Sequence, residues 1–162
     1  MNAELNEHGL ECRIQKLLEP IVQDDLIEIL KIHIGSGGYI QSLRVVLDRR
    51  GGIETGELER ISRALSLQLD VENFFRGEFR LELSSPGLDW AFKTDADFKR
   101  YLDAWIRLDF HDGKAIEGCN LGLNDGFVQI QEKKKTPASY PLSVLRKVSR
   151  AIDWASVSQR GK

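Results

Sequence analysis

The spacing of apolar residues changes repeatedly along the first half of the chain, and this change restricts the fold more than any other feature. Apolar residues recur every three or four positions in residues 10–22, which predicts an amphipathic helix that Pro20 bends or ends. Residues 26–34 and 39–48 are rich in β-branched residues or alternate apolar with polar, which predicts two strands. The chain is therefore expected to begin with a helix and a β-hairpin.

A second helix and a third strand are predicted next. Thr55 is the expected N-cap, followed by an apolar stripe at helical spacing and by Glu57 in the first turn, where the helix dipole favours anions. Residues 79–83 alternate strictly and predict a strand. The order α-β-β-α-β is typical of a two-layer α+β domain with its helices on one face of a sheet.

The second half shows only short strand patterns. Segments around residues 104–110, 117–123, 127–131 and 145–149 are separated by turns, and Asn124-Asp125-Gly126 is a strong signal for a tight hairpin. Several short strands in so few residues predict a small β-barrel. We therefore expect an α+β domain in residues 1–88, a linker in 89–94, a small β-barrel in 95–150 and a loosely held tail in 151–162.

Charge also divides the chain. The net formal charge is −2, but residues 1–91 contain 10 Lys and Arg against 16 Asp and Glu, whereas residues 92–162 contain 13 against 9. A weakly acidic protein is not a free-standing, strongly basic nucleic-acid binder, because such affinity comes mainly from cations that neutralise phosphates. The asymmetry instead favours two domains with different partners.

Two strings together carry a family resemblance. F-R-L-E-L-S-S-P-G-L-D at residues 79–89, followed by D-F-K-R-Y at 97–101, resembles the signature of the RimP ribosome maturation factors. The similarity extends through residues 13–22, 61–65 and 124–126. Trp90-Ala91 stands where the family usually has Arg-Pro, so no role of that arginine carries over to this chain.

The resemblance implies a fold and a role. It implies an N-terminal domain akin to KH domains and a C-terminal Sm-like or SH3-like barrel. It also implies transient, non-catalytic binding to the immature small (30S) ribosomal subunit, through ribosomal RNA and a ribosomal protein, the one near the decoding centre called S twelve. The alternative that remains open is a general RNA-binding module acting on non-ribosomal RNA.

We expect a cytoplasmic monomer without a cofactor or a metal. No segment approaches the roughly 20 apolar residues that span a bilayer, and Cys12 and Cys119 lie far apart, in no metal-ligand spacing. His8, His33 and His111 are also scattered.

No catalytic site is predicted. Ser84, Ser85, Asp89 and His111 lack the Gly-x-Ser-x-Gly elbow that would support a nucleophile. Pro86-Gly87 suits the centre of a type II turn, so the interdomain linker signature is assigned a structural role. That signature consists of Ser84, Ser85, Pro86, Gly87, Leu88 and Asp89.

Two other motifs invite a binding role. Gly35-Ser36-Gly37-Gly38 lacks the Gly-Lys-Ser/Thr ending of a phosphate-binding loop and is flanked by strands, so a hairpin tip is predicted. The densest cluster of Lys and Arg residues is a candidate for contact with ribosomal RNA phosphate, and the alternative is that it is a solvated loop. The candidate residues are Lys133, Lys134, Lys135, Arg146 and Lys147.

Overall fold

The chain divides into two compact units. The computed structural model describes residues 2–23, 26–37 and 40–160. The N-terminal unit is Met1–Pro86 and the C-terminal unit is Gly87–Lys162. Each unit contains a hydrophobic core of its own. Residues 89–94, predicted as a linker, therefore lie within the C-terminal unit.

The N-terminal unit is a mixed α+β domain, as predicted. Its elements are α1 (Asn2–Val22), β1 (Glu28–Gly37), β2 (Ile40–Asp48), α2 (Thr55–Val71) and β3 (Phe79–Ser84). The sheet order is β1-β2-β3, with β1 and β2 antiparallel and β2 and β3 parallel. Helix α2 is thus the crossover that a parallel strand pair requires.

Both helices pack on one face of this sheet, because their buried residues join those of β2 in a single core. Alternate β2 residues point to the same face, which explains their shared burial. The core residues from these three elements are Ile14, Leu18, Val22, Leu43, Val45, Leu47, Ile61, Leu65 and Leu69. On the opposite face Arg44 pairs with Glu82, with Nη2 3.3 Å from Oε2.

Two local predictions in this unit need correction. Helix α2 is capped by Glu54 and not by Thr55: Glu54 has an extended backbone, and its amide donates to Oε2 of Glu57 at 3.1 Å. The glycine-rich segment is mostly strand, since β1 continues to Gly37; Gly38 lies outside the described residues.

The C-terminal unit is built on an antiparallel sheet. Its elements are α3 (Asp95–Arg100), β4 (Trp105–Phe110), β5 (Ala115–Asn124), β6 (Phe127–Gln131), β7 (Ala138–Pro141), β8 (Leu145–Arg150) and α4 (Trp154–Arg160). The strand order is β7-β6-β5-β4-β8. The four-residue strand β7 was not predicted, because Ala-Ser-Tyr-Pro is too short to show a period.

No closed barrel is seen in the described residues, so the small β-barrel expected from the sequence stays a prediction. The outer edge of β8 is occupied by the chain just before α3: Ala91 pairs with Ser149, and the Phe92 amide donates to the Val148 carbonyl at 2.8 Å. Strand β7 ends at Pro141, which has no N–H to donate. Within the described residues, the edge strands β7 and β8 are not paired with each other.

The tight hairpin between β5 and β6 is confirmed. Asp125 and Gly126 have φ angles of 50° and 81°, as a two-residue loop of this kind requires, and Asn124 pairs with Phe127 across it. In contrast, Gly87 does not have a positive φ, so the predicted type II turn is wrong. The turn instead closes two residues later, where the Trp90 amide donates to the Gly87 carbonyl at 3.1 Å.

Phe92 belongs to the second core. Its ring stacks on Tyr101 with centroids 5.0 Å apart and meets Phe98 edge-on at 5.2 Å. Both of these ring contacts are supplied by α3 and the residue that follows it.

Asp97 organises the start of α3. Its carboxylate accepts from the amides of Lys93 at 2.8 Å and Thr94 at 3.1 Å, and from Nη1 of Arg100 at 2.8 Å. Both members of the ion pair are buried, with side chains 9% and 2% exposed. Burial raises the pKa of Asp97, but the hydrogen bonds from Lys93, Arg100 and Thr94 outweigh it and leave the pKa below its ordinary value.

Asn120 joins α3 to the sheet. Its fully buried side-chain amide donates to the carbonyls of Phe98 at 3.0 Å and Tyr101 at 2.9 Å. Its side-chain oxygen accepts from the Gly122 amide at 2.9 Å, next to the register shift between β5 and β6. One residue thus satisfies polar groups of both a helix end and an irregular strand.

The segment predicted as a loose tail contains helix α4. Asp153 precedes it and accepts from the Ser156 amide at 3.3 Å, and the Ala151 amide donates to the Trp105 carbonyl at 2.9 Å. Residues 151–160 therefore contain regular structure, while 161–162 lie outside the described residues.

Replacing Asn120 with Ala should destabilise the C-terminal unit by about 2–4 kcal/mol, because two buried carbonyls lose their donor. All three tryptophans, Trp90, Trp105 and Trp154, lie in this unit, so urea unfolding followed by tryptophan fluorescence measures it selectively. Gln131→Ala, at an exposed position, is the matched control. Equal midpoints for the two variants would contradict the assigned role.

Replacing Asp97 with Asn should destabilise the same unit by about 3 kcal/mol at pH 7, because the buried Arg100 charge loses its partner. The folded-state pKa of Asp97 is lowered, so its contribution is complete above the unfolded pKa of about 3.9 and is lost as pH falls through the folded value. The difference in unfolding free energy between wild type and variant should therefore be constant from pH 7 to about 5 and shrink below pH 4. A difference that grows on acidification would contradict this.

Candidate functional site

The three candidate lysines lie on the loop between β6 and β7. Lys133, Lys134 and Lys135 are all exposed, and Lys134 takes a positive φ of 58° at the tip. The loop is accessible to a polyanion.

Two of these lysines are paired within the protein. Nζ of Lys133 lies 2.6 Å from Oδ1 of Asp153 and 5.4 Å from the centre of the Trp105 ring. Nζ of Lys135 lies 3.3 Å from Oε1 of Glu132. The hydrogen bond from Lys133, together with those from Ser156, holds the pKa of Asp153 below its ordinary value. Much of the loop's positive charge is thus matched by nearby carboxylates.

Lys134 differs from its neighbours. Across the ranges that the structure describes, it makes no ion pair, hydrogen bond or ring contact. It is therefore the residue of the loop whose charge is most available to an external anion. The sequence alone shows three equivalent lysines and does not distinguish them.

The structure does not bring the five predicted cations together. Lys133 contacts Trp105 at the start of β4, whereas Lys147 lies opposite Asp109 near the other end of that strand. Arg146 is adjacent to Lys147 on β8. Four residues of strand separate the two groups by about 13 Å, at about 3.3 Å per residue. They form two patches and not one.

Carboxylates lie between these patches. Arg107 on β4 pairs with Asp109, with Nε 2.9 Å from Oδ1, and lies 3.9 Å from Oε1 of Glu117 on β5. The indole N–H of Trp105 donates to Oε2 of Glu117 at 3.3 Å. The face is therefore a stripe of alternating charge. Sequence reasoning missed this arrangement because it depends on the register between β4 and β5, which no local pattern shows.

The residues considered for catalysis are divided between the two units. Ser84 pairs with Val46 in the N-terminal sheet, while the His111 amide donates to the Val144 carbonyl in a turn of the other unit. Within the described ranges, no three His, Cys, Asp or Glu side chains are grouped so as to hold a metal ion. Burial, and then the charge of Asp103, raises the pKa of the Cys119 thiol, which disfavours the reactive thiolate.

Residues 17–89 match the family model described as the RimP N-terminal domain. This domain match supports the RimP family for this chain. The matched range begins inside α1, includes β1 to β3 and ends on the Ser84–Asp89 linker signature. The resemblance stated from the sequence is thus confirmed, and the RimP family is one of ribosome maturation factors. The matched range leaves out nearly all of the C-terminal unit and every candidate cation.

In the described part of the chain, no helix combines the length and the apolar composition needed to cross a bilayer.

Replacing Lys134 with Gln should weaken binding to single-stranded RNA more than replacing Lys135, because Lys135 is already paired with Glu132. Each lost phosphate contact lowers the slope of log affinity against log salt by about 0.7. Fluorescence anisotropy with a labelled RNA homopolymer at several salt concentrations measures this slope. We expect a change of that size for Lys134→Gln and a smaller one for Lys135→Gln, and equal changes would contradict the assignment.

Proposed function

We propose that this chain assists assembly of the small (30S) ribosomal subunit by transient, non-catalytic binding to the immature subunit. The observation that supports this proposal is the match of residues 17–89 to the RimP N-terminal domain. The protein acts in the cytoplasm as a monomer and needs no cofactor. Ribosomal RNA and a ribosomal protein are its partners on the subunit.

The contrast in charge between the two units supports two kinds of contact. Met1–Pro86 contains 10 Lys and Arg against 15 Asp and Glu, whereas Gly87–Lys162 contains 13 against 10. A basic ribosomal protein is the complementary partner of the first unit, and RNA phosphate is that of the second. Such complementarity sets the encounter rate and the orientation of the complex more than its affinity.

Assistance of this kind requires no covalent step. A factor that binds an immature conformation of the subunit more tightly than competing conformations shifts the population towards it. A preference of about 1.4 kcal/mol shifts that population tenfold. The factor leaves when maturation removes the preferred conformation, so its release follows from the same difference in affinity.

Tagged protein in a growing culture should co-sediment with free or precursor small subunits and not with translating ribosomes. The reason is that binding depends on a conformation which the mature, joined subunit no longer adopts. Sucrose-gradient fractions probed for the tag measure this distribution. Equal association with both populations, or with neither, would contradict the proposal.

A pair of charge variants tests whether the C-terminal cations contribute. Replacing Lys133, Lys134 and Lys135 with Gln should reduce co-sedimentation, most strongly at low salt, if RNA phosphate is contacted. Replacing Arg60, Arg63 and Arg76 in the N-terminal unit with Gln removes the same net charge and is the matched control. Similar losses in both variants would indicate non-specific attraction and not contact through the loop.

A further inference from the structure

A long groove runs between α1 and β1 in the N-terminal unit. One part, of about 290 Å³, is lined by His8, Glu11, Cys12 and Gln15 of α1 and by residues 29–32 of β1. A second part, of about 450 Å³, shares Gln15 and Ile29 with the first and continues to Glu19 and Val22. Because the two parts share these lining residues, they are continuous with each other beside the sheet.

One wall of this groove is the free edge of a strand. Strand β1 is outermost in the order β1-β2-β3, and within the described residues it pairs with β2 alone. Its register shifts once, between Ile29 and Lys31, and then runs without interruption to Gly37. Every second residue of an edge strand directs its N–H and C=O away from the sheet, so this stretch can accept another strand.

The side chains of the groove select the chemistry of the strand that fits. Glu11, Glu19 and Glu28 line it, against Lys31 as the one lysine or arginine among the lining residues. Ile29, Ile32 and Val22 supply apolar contact beside the carboxylates. Lys and Arg side chains match such a surface, because their aliphatic stems cover apolar groups while their charged ends reach carboxylates.

We propose that the outer edge of β1 binds an extended, basic peptide segment of a partner protein as a fourth strand. Backbone hydrogen bonds to residues after the register shift hold the segment, and its alternate Lys or Arg side chains enter the groove towards Glu11 and Glu19. This is recognition by strand addition, in which the main chain supplies affinity and the groove supplies selectivity. The inference rests on the proposed function, for which it names the kind of segment that the acidic unit receives.

The other edge of the sheet fits this role less well. Strand β3 offers six residues, against the ten of β1. The groove beside it contains Asp70, Glu78 and Arg80, so it is closer to neutral. A strand bound there would also be placed next to Phe79 and Ile40, which favours an apolar segment over a basic one. Charge and length both favour β1.

The first experiment uses the full chain and a fluorescent peptide of about ten residues that alternates Lys or Arg with Val, about 33 Å long when extended. Anisotropy should show saturable binding, and an analogue with Glu in place of Lys and Arg should not bind. Hydrogen exchange followed by mass spectrometry should show slower exchange in β1 and unchanged exchange in α2. Binding without added protection in β1 would overturn the proposal, because it would show attraction without strand pairing.

Cys12 provides an independent measurement, since it is exposed and lies in the groove. The basic peptide should slow the alkylation of Cys12 by N-ethylmaleimide several-fold, as followed by peptide mapping, which separates it from Cys119. Prior alkylation of Cys12 should in turn weaken peptide binding. An unchanged alkylation rate at saturating peptide would place the peptide elsewhere and overturn the proposal.

Charge variants locate the site. Glu11→Lys with Glu19→Lys should weaken peptide binding by about tenfold, since attraction is replaced by repulsion. The milder pair Glu11→Gln and Glu19→Gln guards against a folding defect and should give a smaller loss in the same direction. The control is Glu59→Lys with Glu72→Lys, which makes the same change in net charge away from the groove. Glu59 lies in α2 and Glu72 is the C-cap of that helix. Equal losses in the groove and control variants would overturn the proposal.

The same variants separate this inference from the proposed function. If the groove variants lose the peptide but the wild-type chain shows no preference for precursor subunits, the proposed function fails and the peptide site remains. The opposite outcome is that wild-type protein binds precursor subunits, and that the groove variants bind both these subunits and the peptide as well as wild type does. In that case the groove proposal fails and the proposed function remains.

Discussion

The buried ion pair between Asp97 and Arg100 is the interaction on which the C-terminal unit depends most. Removing two charges from water costs several kcal/mol each, so such a pair persists only where further hydrogen bonds satisfy it. Here the amides of Lys93 and Thr94 donate to the same carboxylate and fix the start of α3. Helix α3 in turn presents Phe98 to the core and carbonyls to Asn120. Folding therefore explains Asp97, Phe98, Arg100 and Tyr101 of the D-F-K-R-Y string, all of which are buried.

The parts of the fold that could be predicted from the sequence are those determined locally. The Asp125-Gly126 turn was found because its positive φ angles are a property of those residues, and the helices and longer strands because their periods extend over many positions. Pairings between distant segments could not be found in this way. The contact of Ala91 and Phe92 with β8 joins residues more than fifty positions apart, and it fixes which residues lie along the outer edge of that strand.

The charges available to a partner at the candidate cations also could not be predicted from the sequence alone. Counting charges treats Lys133, Lys134 and Lys135 as equal, but folding brings Asp153 to the first and Glu132 to the third. Exposed ion pairs of this kind contribute little to stability, yet they compete with an external phosphate for the same ammonium group. Net charge in the sequence therefore overstates the attraction that the folded surface offers to RNA. The register of β4 and β5, which places Glu117 beside Arg107, has the same effect.

The sheet edges in the two units are treated differently, and the difference bears on where partners bind. In the C-terminal unit the chain covers one edge of β8 with its own residues and ends β7 at a proline, which leaves little backbone to pair with. In the N-terminal unit the ten-residue strand β1 is left uncovered beside an acidic groove. An open edge of that length invites aggregation unless charge limits what approaches it. The carboxylates along α1 meet this need, because they repel acidic and disfavour purely apolar strands while they admit basic ones.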